Sequence, residues 1–468
     1  MYLTQFNPKG DVSMEHVSVR EIVKNMNINV KLAFVFSFIT SLGRGIWMGN
    51  VLSAYIYYFS DESNITLGQT SLALGLTMTV FVFPAGYFAD KFRRDILLKI
   101  ASVFGAAGLL VIILGNNMTA IFVALALWGL YQAITRPALE SILADSLETG
   151  RRSRIYSWLH LVRQLAMSIG PFISVLLFTL FGDDWELGIL KNVMLVGILI
   201  TGVSIIIMEF FNDKKSLGKI SESIKEEPEP EEEEEEPKNG LRSKLPRRTK
   251  LIPYLLVGSN VIVGIGAGMT IKYFPIFFIE VYNLKPIWVQ VIMGFTAVAT
   301  GLTGLLAQKL SMRRGRPLMI FIFQLSATLC LFGLIFYPTV WLLVPLFIAR
   351  GSLMNAGQPL SRSILMDVVP KKNRGKWNSL ETLAWGLFWN FSAVVGGYIV
   401  GDAPARTYWT LDGLIDVFFN DLPLDGIIPR FWLVFLVTAC VYLIGVIPLL
   451  LLIPLVRQEN FDSKEEED

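Results

Sequence analysis

The chain has 468 residues; 53% of them are hydrophobic, only 17% are charged, and the formal net charge is +2. A soluble globular chain carries about 25% charged residues, and here the charges cluster in short stretches between long uncharged runs. The composition therefore excludes an ordinary soluble domain and predicts a polytopic membrane protein. The two cysteines, Cys330 and Cys440, lie in apolar runs and are too few for a disulfide framework or a cysteine metal site.

The opening segment is polar and lacks the pattern of a signal peptide, so we expect residues 1–30 to be cytoplasmic. A membrane-spanning helix needs about 20 apolar residues, and the next part of the chain predicts six such spans. They are 31–59, 68–89, 96–115, 119–146, 154–181 and 189–211. Lipid offers an open backbone no hydrogen-bond partner, so helices are the expected spanning structure. Residues 31–211 are thus predicted to form a six-helix bundle.

Residues 212–250 contain EEPEPEEEEEEPKNG, which is too polar to fold by itself and predicts a cytoplasmic linker. Six further spans follow, at 252–281, 287–310, 317–337, 340–369, 374–400 and 430–455. Residues 251–456 therefore predict a second six-helix bundle. Within it, 401–429 forms an extracytoplasmic loop with amphipathic character, and 457–468 forms an acidic cytoplasmic tail. The predicted fold is an all-α membrane protein with twelve transmembrane helices in two bundles.

Orientation follows from the Lys and Arg residues that flank the spans, because cytoplasmic loops carry the excess of positive charge. One set of loops holds most of these bases, among them Lys91, Arg93, Arg94, Arg151, Arg152, Arg154, Arg313, Arg314, Arg316, Lys371, Lys372, Arg374 and Lys376. The opposite loops hold few, such as Lys191, Lys285 and Arg406. The basic set is predicted to be cytoplasmic, which places both termini inside, and the plasma membrane is the expected location.

The two predicted bundles repeat each other in sequence. The stretch SILADSLETGRRSRIYS, from Ser141, aligns without gaps with SILMDVVPKKNRGKWNS, from Ser363. The alignment pairs Asp145 with Asp367, Arg152 with Arg374 and Arg154 with Lys376, and it places Pro137 opposite Pro359. A parallel repeat of six-helix halves is a known transporter plan, in which the substrate site lies near the midplane between the halves.

The loop between the second and third spans carries the most specific motif, GYFADKFRR followed by Asp95. It resembles the G-x-x-x-D-[RK]-x-G-[RK]-[RK] motif of the major facilitator superfamily. The matching residues are Gly86, Asp90, Lys91 and Arg94. Arg93 stands where a glycine is usual and Asp95 where a base is usual, and the second-half copy has Gln308 in place of the acid.

A second resemblance lies in the fifth span, where Gly170-Pro171 is similar to the Gly-Pro core of the drug:proton antiporter motif. Ser174 and Val175 replace the paired glycines of that branch. The resemblance covers essentially the whole chain. It implies the superfamily fold, alternating access, and a central cavity lined by the first, fourth, seventh and tenth spans.

The resemblance also implies gate contacts at the cytoplasmic side. Asp90 would dock on the start of the eleventh span near Arg374, because a helix N-terminus favours an anion, and Arg94 would pair with Asp145. Such contacts are expected only when the cytoplasmic side is closed, so they bias the inward–outward equilibrium. The alternative is that these bases only reflect the excess of positive charge in cytoplasmic loops and form no gate contact. The predicted gating residues are Gly86, Asp90, Lys91, Arg94, Asp145, Gly170, Pro171, Asp367 and Arg374.

Charges within the spans are costly and point to function. The candidates for substrate binding or coupling are Arg44, Arg136, Glu140, Arg163, Lys272, Arg350 and Glu381. Each has a structural alternative: Lys272 can extend toward the membrane surface, and Arg136 and Glu140, spaced i and i+4, can simply pair. His160 is a further titratable group.

Bases outnumber acids among these residues, which favours an anionic or amphiphilic substrate. The predicted function is secondary transport of a small organic solute by a monomer. It would be proton-coupled through Glu140, Glu381 or His160, with antiport or efflux favoured. The alternatives are a proton-independent facilitator or importer, and a non-transporting sensor or lipid-handling protein. The sequence contains no G-x-x-x-x-G-K-[ST] nucleotide-binding stretch, so an ATP-driven pump is not predicted. Neither an enzyme, a cofactor, a metal site nor a nucleic-acid partner is predicted.

Overall fold

The computed structural model describes residues 2–6, 12–16, 26–147, 152–217, 251–336, 339–369, 371–402 and 430–465. Before the first span lies an antiparallel hairpin of β1 (Tyr2–Phe6) and β2 (Val12–His16), in which Tyr2 pairs with His16. The sequence reading had expected only a polar segment there. The linker beyond residue 217 and the predicted loop 401–429, from residue 403 onward, lie outside the described residues.

Helices form the rest of the described chain, in two sets. The N-terminal half contains α1 (Ile28–Trp47), α2 (Asn50–Phe59), α3 (Asn64–Lys91), α4 (Arg94–Leu114), α5 (Met118–Asp145), α6 (Arg152–Phe181), α7 (Leu187–Met208) and a 3-10 turn (Asp213–Lys215). The C-terminal half contains α8 (Ile252–Ile271), α9 (Phe274–Glu280), α10 (Pro286–Arg314), α11 (Arg316–Ile335), α12 (Val340–Ala356), α13 (Gln358–Val368), α14 (Lys371–Val400) and α15 (Arg430–Glu465).

Eleven stretches of the described helices are long and apolar enough to cross a membrane. Among the residues whose side chains the structure describes, α14 contributes a shorter apolar stretch, Gly386–Val400. The chain is therefore an integral multi-pass membrane protein. The last helix runs on to Glu465, past the predicted end of the span at 455.

Three of the predicted single spans are each broken into two helices. The first breaks at Met48–Gly49, where Gly49 has a φ of 118° that an L side chain rarely adopts. The seventh breaks at Lys272–Tyr273, and the tenth breaks at Gly357 between α12 and α13. Hydropathy alone misses such breaks, because the residues on both sides remain apolar.

The two halves pack their helices in the same pattern. In the N-terminal half, α1 packs on α6 and α7, and α3 packs on α5; in the C-terminal half, α8 packs on α14 and α15, and α10 packs on α12. The halves meet where α3 packs on α14 and where α6 packs on α10. These two contacts exchange under the pseudo-two-fold of the repeat, so the interface follows the symmetry predicted from the sequence.

Small residues permit the closest helix approach in each half, as is usual where no hydrophobic force holds helices together in lipid. A Cβ on Gly170 of α6 would lie 2.4 Å from the carbonyl carbon of Gly45 in α1. In the other half, a Cβ on Gly268 of α8 would lie 2.1 Å from Ser392 Oγ of α14. Extending the Ser141–Ser363 alignment without gaps makes Ser392 the equivalent of Gly170.

Candidate functional site

We call the end where α3 meets α4 and α10 meets α11 the basic end, and the opposite end the far end. A cavity of about 160 Å³ lies inside the C-terminal half. Helices α8, α11, α12, α13, α14 and α15 all contribute to its wall. The lining residues are Asn260, Val263, Ala267, Ile271, Gln324, Arg350, Met354, Asn355, Gln358, Trp389 and Tyr442. Only Arg350 among them carries a charge.

Arg350 projects from α12 and is 4% exposed. Its Nη2 donates to the hydroxyl of Tyr442 at 2.9 Å, and its guanidinium lies 4.7 Å from the ring centre of Phe274. Its Nε is buried without a hydrogen-bond partner. Ring faces attract a cation, but neither ring supplies a counter-charge. The guanidinium therefore keeps unused donor capacity inside the protein.

A second group of buried donors lies between α1 and α5 in the N-terminal half. The side-chain atoms Arg44 Nε, Trp128 Nε1 and Gln132 Nε2 are buried without hydrogen-bond partners. The Trp128 ring packs edge-on against Trp47, with centroids 5.5 Å apart. Trp47 itself donates to Thr201 Oγ1 at 3.0 Å and is 1% exposed, so it belongs to the core. Arg44 lies close enough to Arg136 for their charges to interact.

Nearer the basic end, charged side chains from both halves line a more open vestibule. Arg136 and Glu140 of α5 approach to 3.8 Å, and their side chains are 49% and 56% exposed. Arg163 of α6 donates from Nε to Ser37 Oγ at 3.2 Å and interacts electrostatically with Glu140. His160, also on α6, is close enough to Arg362 of α13 for charge interaction across the halves. The predicted Arg136–Glu140 pair thus exists, with one acid among several bases.

The far end is closed by hydrogen bonds between the halves. Asp402, just after α14, accepts from Ile65 N at 3.1 Å and from Ser63 Oγ at 2.8 Å, and so caps the N-terminus of α3. Asp183, just after α6, accepts from Ile287 N at 2.9 Å and caps the N-terminus of α10. The two caps are related by the repeat, since each half supplies one carboxylate to a helix of the other.

Further contacts surround these caps. The hydroxyl of Tyr57 donates to Glu280 at 2.6 Å, Trp185 Nε1 donates to the Leu284 carbonyl at 2.8 Å, and Lys285 lies 3.6 Å from Asp184. Among the described residues, these hydrogen bonds and ion pairs that join the halves all lie toward the far end. Apart from Lys285, which was named only as a base of the opposite loops, none of these residues was singled out from the sequence. The signal available was the acid that directly follows a span, at Asp183 and Asp402.

At the basic end, each half holds an ion pair within itself. Arg94 contacts Asp145 and also Asp213, at 3.4 Å, and its backbone N–H donates to Asp213 at 3.2 Å. Arg316 contacts Asp367 and donates to Ser363 Oγ at 2.8 Å. The predicted Arg94–Asp145 pair is present. Both residues belong to the N-terminal half, so this contact does not itself join the halves. That it forms only when the cytoplasmic side is closed stays a prediction.

The two departures from the loop motif explain each other. Arg93 donates from Nε and Nη2 to the carboxylate of Asp95, at 3.1 and 2.5 Å, and this contact raises the pKa of Arg93. Asp95 is 4% exposed and lies in the first turn of α4, where the helix dipole favours an acid. The base in the glycine position thus neutralises the acid in the base position.

The remaining predicted residues are placed as follows. Lys91 lies at the end of α3 with its Nζ 4.4 Å from the ring centre of Tyr87. Lys272 is half-buried at the break between α8 and α9 and does not line the cavity. A Cβ on Gly86 would meet nothing within 4 Å, so packing does not require a glycine there. Pro171 follows Gly170 inside α6. The side chains of Asp90, Arg374 and Glu381 lie outside the described set.

Two repeated helical halves, closed against each other at one end and enclosing buried cationic side chains, define a membrane transporter architecture. Residues 33–351 and 256–468 each match the family model of the Major Facilitator Superfamily. The chain belongs to the Major Facilitator Superfamily. Its relatives and structural neighbours are transporters, not enzymes.

Two relatives match part of the chain. A Na(+), Li(+), K(+)/H(+) antiporter of Planococcus maritimus is 26% identical over 210 residues, covering 44% of this chain and 47% of the relative. The uncharacterized MFS-type transporter YdeE of Escherichia coli (strain K12) is 25% identical over 155 residues, covering 32% of this chain and 39% of the relative. The matched segments thus span less than half the length of each relative.

Several solved structures share the fold. A D-xylose-proton symporter superposes with a TM-score of 0.64 at 14% identity, covering 90% of this chain and 96% of the other. A point mutant of the nucleoside transporter NupG gives a TM-score of 0.62 at 13% identity, covering 90% of this chain and 99% of the other. A bacterial homologue of the iron transporter ferroportin in an inward-facing state gives 0.62 at 13% identity and covers 93% and 99%. At these identities the likeness shows the fold alone.

Proposed function

We propose that this protein is a proton-coupled secondary transporter that moves a small organic solute by alternating access, with antiport out of the cell as the favoured direction. The supporting observation is the uneven closure of the two halves. The described hydrogen bonds between the halves lie toward the far end, whereas Arg136 and Glu140 near the basic end are about half exposed. A state closed at one end and accessible at the other is what alternating access requires.

Helix α14 supplies the twelfth crossing in this proposal, with at least Gly386–Val400 in the lipid. The bases at the basic end put that end in the cytoplasm of a plasma-membrane protein, with both termini inside. The structure then represents the inward-facing state of a monomer. Closing the basic end would bring Asp90 of α3 onto the start of α14 near Arg374. Asp402 and Asp90 would thus cap opposite ends of the same antiparallel helix pair in alternate states.

Glu140 is the proposed proton carrier, because it is the acid found among the described side chains of this vestibule. Its described neighbours there are Arg136, Arg163, His160 and Arg362. Protonation of this carboxylate removes the charge that balances the bases, which changes the attraction between the halves. Glu381 and His160 are the alternative carriers. Arg44 and Arg350 are proposed to contact the substrate, since both keep buried donors without partners.

The test is solute-driven proton flux in proteoliposomes with a pH-sensitive dye inside. We expect addition of the substrate to change the internal pH in wild-type liposomes, and Glu140→Gln to abolish this change while solute binding persists. The matched control is Glu186→Gln, which removes an acid at the far end just before α7. Solute uptake without any proton movement would support the facilitator alternative. No flux over a broad panel of solutes would support the sensor alternative.

A second candidate function is exchange of a monovalent cation for a proton. It is favoured by the similarity to the Na(+), Li(+), K(+)/H(+) antiporter. The same liposomes separate the two candidates, because Na⁺, Li⁺ or K⁺ alone would then drive the pH change and an organic solute would not.

The gate proposal has its own test. We expect Asp90→Asn to favour the inward-facing state, because an amide loses the charge that the α14 N-terminus attracts. Leu67 is fully buried near the closed far end, so Leu67→Cys reports opening of that end. With Cys330 and Cys440 replaced by serine, Asp90→Asn should slow labelling of Leu67→Cys by an impermeant maleimide. Unchanged labelling would contradict a gating role for Asp90.

A further inference from the structure

We propose that the Arg350 cavity binds a compact carboxylate that carries a hydrogen-bond donor close to its carboxylate, such as a small hydroxy acid. This inference rests on the proposed transport function and names the class of its substrate.

The charge of the cavity is the first reason. Arg350 is 4% exposed, and its described partners, the Tyr442 hydroxyl and the rings of Phe274 and Tyr442, are neutral. A buried charge is costly unless it is paired, and the lining residues that the structure describes include no acid. A guanidinium presents its donors in a planar fork that matches a carboxylate with two parallel hydrogen bonds. An incoming carboxylate would therefore supply the missing counter-charge and engage the unpartnered Nε.

The second reason is an acceptor in the same cavity. Gln324 of α11 is 5% exposed, and its Oε1 is buried without a hydrogen-bond partner. A buried acceptor without a donor costs free energy, which a ligand recovers by donating to it. A plain carboxylate offers only acceptors, whereas a hydroxy acid offers a carboxylate to Arg350 and a hydroxyl to Gln324.

Size and polarity limit the rest of the ligand. The cavity measures about 160 Å³, and a cavity of about 150 Å³ in another protein holds a molecule the size of benzene. Val263, Ala267, Ile271 and Trp389 form the apolar part of the wall. The ligand is thus a molecule of roughly six to eight non-hydrogen atoms, with a short apolar body behind its carboxylate.

Access is from the basic end. Asn355 and Gln358 are exposed lining residues on either side of the Gly357 break, and Gln358 Nε2 donates to Asn355 Oδ1 at 3.1 Å. These two exposed side chains mark the side from which a ligand would enter. The vestibule outside it carries Arg136 and Arg362, which raise the local concentration of anions. A metal cation would instead meet like charge in the vestibule and the guanidinium inside.

The test is calorimetric titration of the full-length protein in detergent with three probes of similar size: lactate, propionate and lactamide. Lactate offers both groups, propionate lacks the hydroxyl, and lactamide lacks the charge. We expect affinity to fall in that order. Arg350→Gln should weaken lactate binding by about 10- to 100-fold, the scale of a hydrogen bond to a charged group. Gln324→Leu should remove the preference for lactate over propionate. Arg313→Gln, an exposed base of α10 outside the cavity, should change neither.

Equal affinity for lactate and lactamide, or lactate binding that survives Arg350→Gln, would overturn the inference. If Arg350→Gln does not fold, Arg350→Lys keeps the charge but loses the fork, and it should still weaken lactate several-fold. Failure here is distinct from failure of the proposed transport function. Proton flux driven by other solutes, without carboxylate binding, would overturn the proposed carboxylate site but not the transport function. Carboxylate binding without any flux would overturn the transport function but not the site.

Discussion

The two halves share one packing scheme, but they place different chemistry on it. Extending the Ser141–Ser363 alignment through α5 and α12–α13 pairs Trp128 with Arg350, Arg136 with Gln358 and Glu140 with Arg362. The N-terminal half therefore carries its charge pair in the open vestibule, and the C-terminal half buries its charge in the cavity. The repeat preserves what closes the protein, namely the caps of Asp402 and Asp183. The charges inside the protein are not preserved in this way, because the equivalent of the buried Arg350 is Trp128.

The largest expected difference between the halves is the stability cost of adding a methyl group at a close helix contact. Gly170→Ala places a Cβ 2.4 Å from the backbone of Gly45, and overpacking a tight interface costs about 1–3 kcal/mol or more. We expect a loss of about 3 kcal/mol in the free energy of unfolding, measured by denaturant titration in mixed micelles.

Two controls bracket that change. The equivalent residue Ser392 already carries a side chain, so Ser392→Ala should cost less than about 1 kcal/mol. Gly301→Ala meets nothing within 4 Å and should be neutral. If all three variants were equally stable, close backbone contact would not be what holds α1 against α6.

The basic-end ion pairs should also differ. Arg94 is 24% exposed and contacts two carboxylates, whereas Arg316 is 43% exposed and contacts one carboxylate and a hydroxyl. We expect Arg94→Gln to lower the unfolding free energy by about 2 kcal/mol, and Arg316→Gln by less than about 1 kcal/mol, because exposed pairs contribute little. The same titration measures both, and equal losses would show that the second carboxylate, Asp213, contributes nothing.

The far-end caps test whether closure is symmetrical. Each of Asp402→Asn and Asp183→Asn weakens one cap, which is worth about 1 kcal/mol, or about fivefold in an equilibrium. Labelling of Leu67→Cys by an impermeant maleimide should therefore rise by about fivefold in either variant. A rise in one variant alone would mean that one helix contact closes the far end and the other follows.

The smallest effect is expected at the exposed Lys285–Asp184 pair. The two side chains are 61% and 64% exposed and lie 3.6 Å apart, and such pairs contribute about 0–1 kcal/mol. Lys285→Gln should leave Leu67→Cys labelling within about twofold of the parent. A larger rise in labelling would mean that the exposed ion pair, and not the caps of Asp402 and Asp183, holds the far end closed.

The sequence by itself determined that this is a membrane protein, where the spans approximately lie, that its halves repeat and which family motif it carries. These features are visible locally, because spans in lipid must be apolar and cytoplasmic loops carry the positive charge. The resemblance to the superfamily also implied the pair of Arg94 and Asp145, and the spacing of one helical turn indicated that Arg136 and Glu140 can pair. In the sequence, Arg93 and Asp95 are two separate departures from the motif, and only the structure shows that their side chains pair.

Only the tertiary structure decided the rest. The caps of Asp402 on α3 and Asp183 on α10 join residues more than 100 positions apart in the chain, and no local pattern indicates which helix an acid will meet. The Arg350 cavity is likewise made by residues that come together only when the helices pack. A charged residue within a span indicates a functional site. Its partners, its burial and its access to solvent depend on how the helices pack.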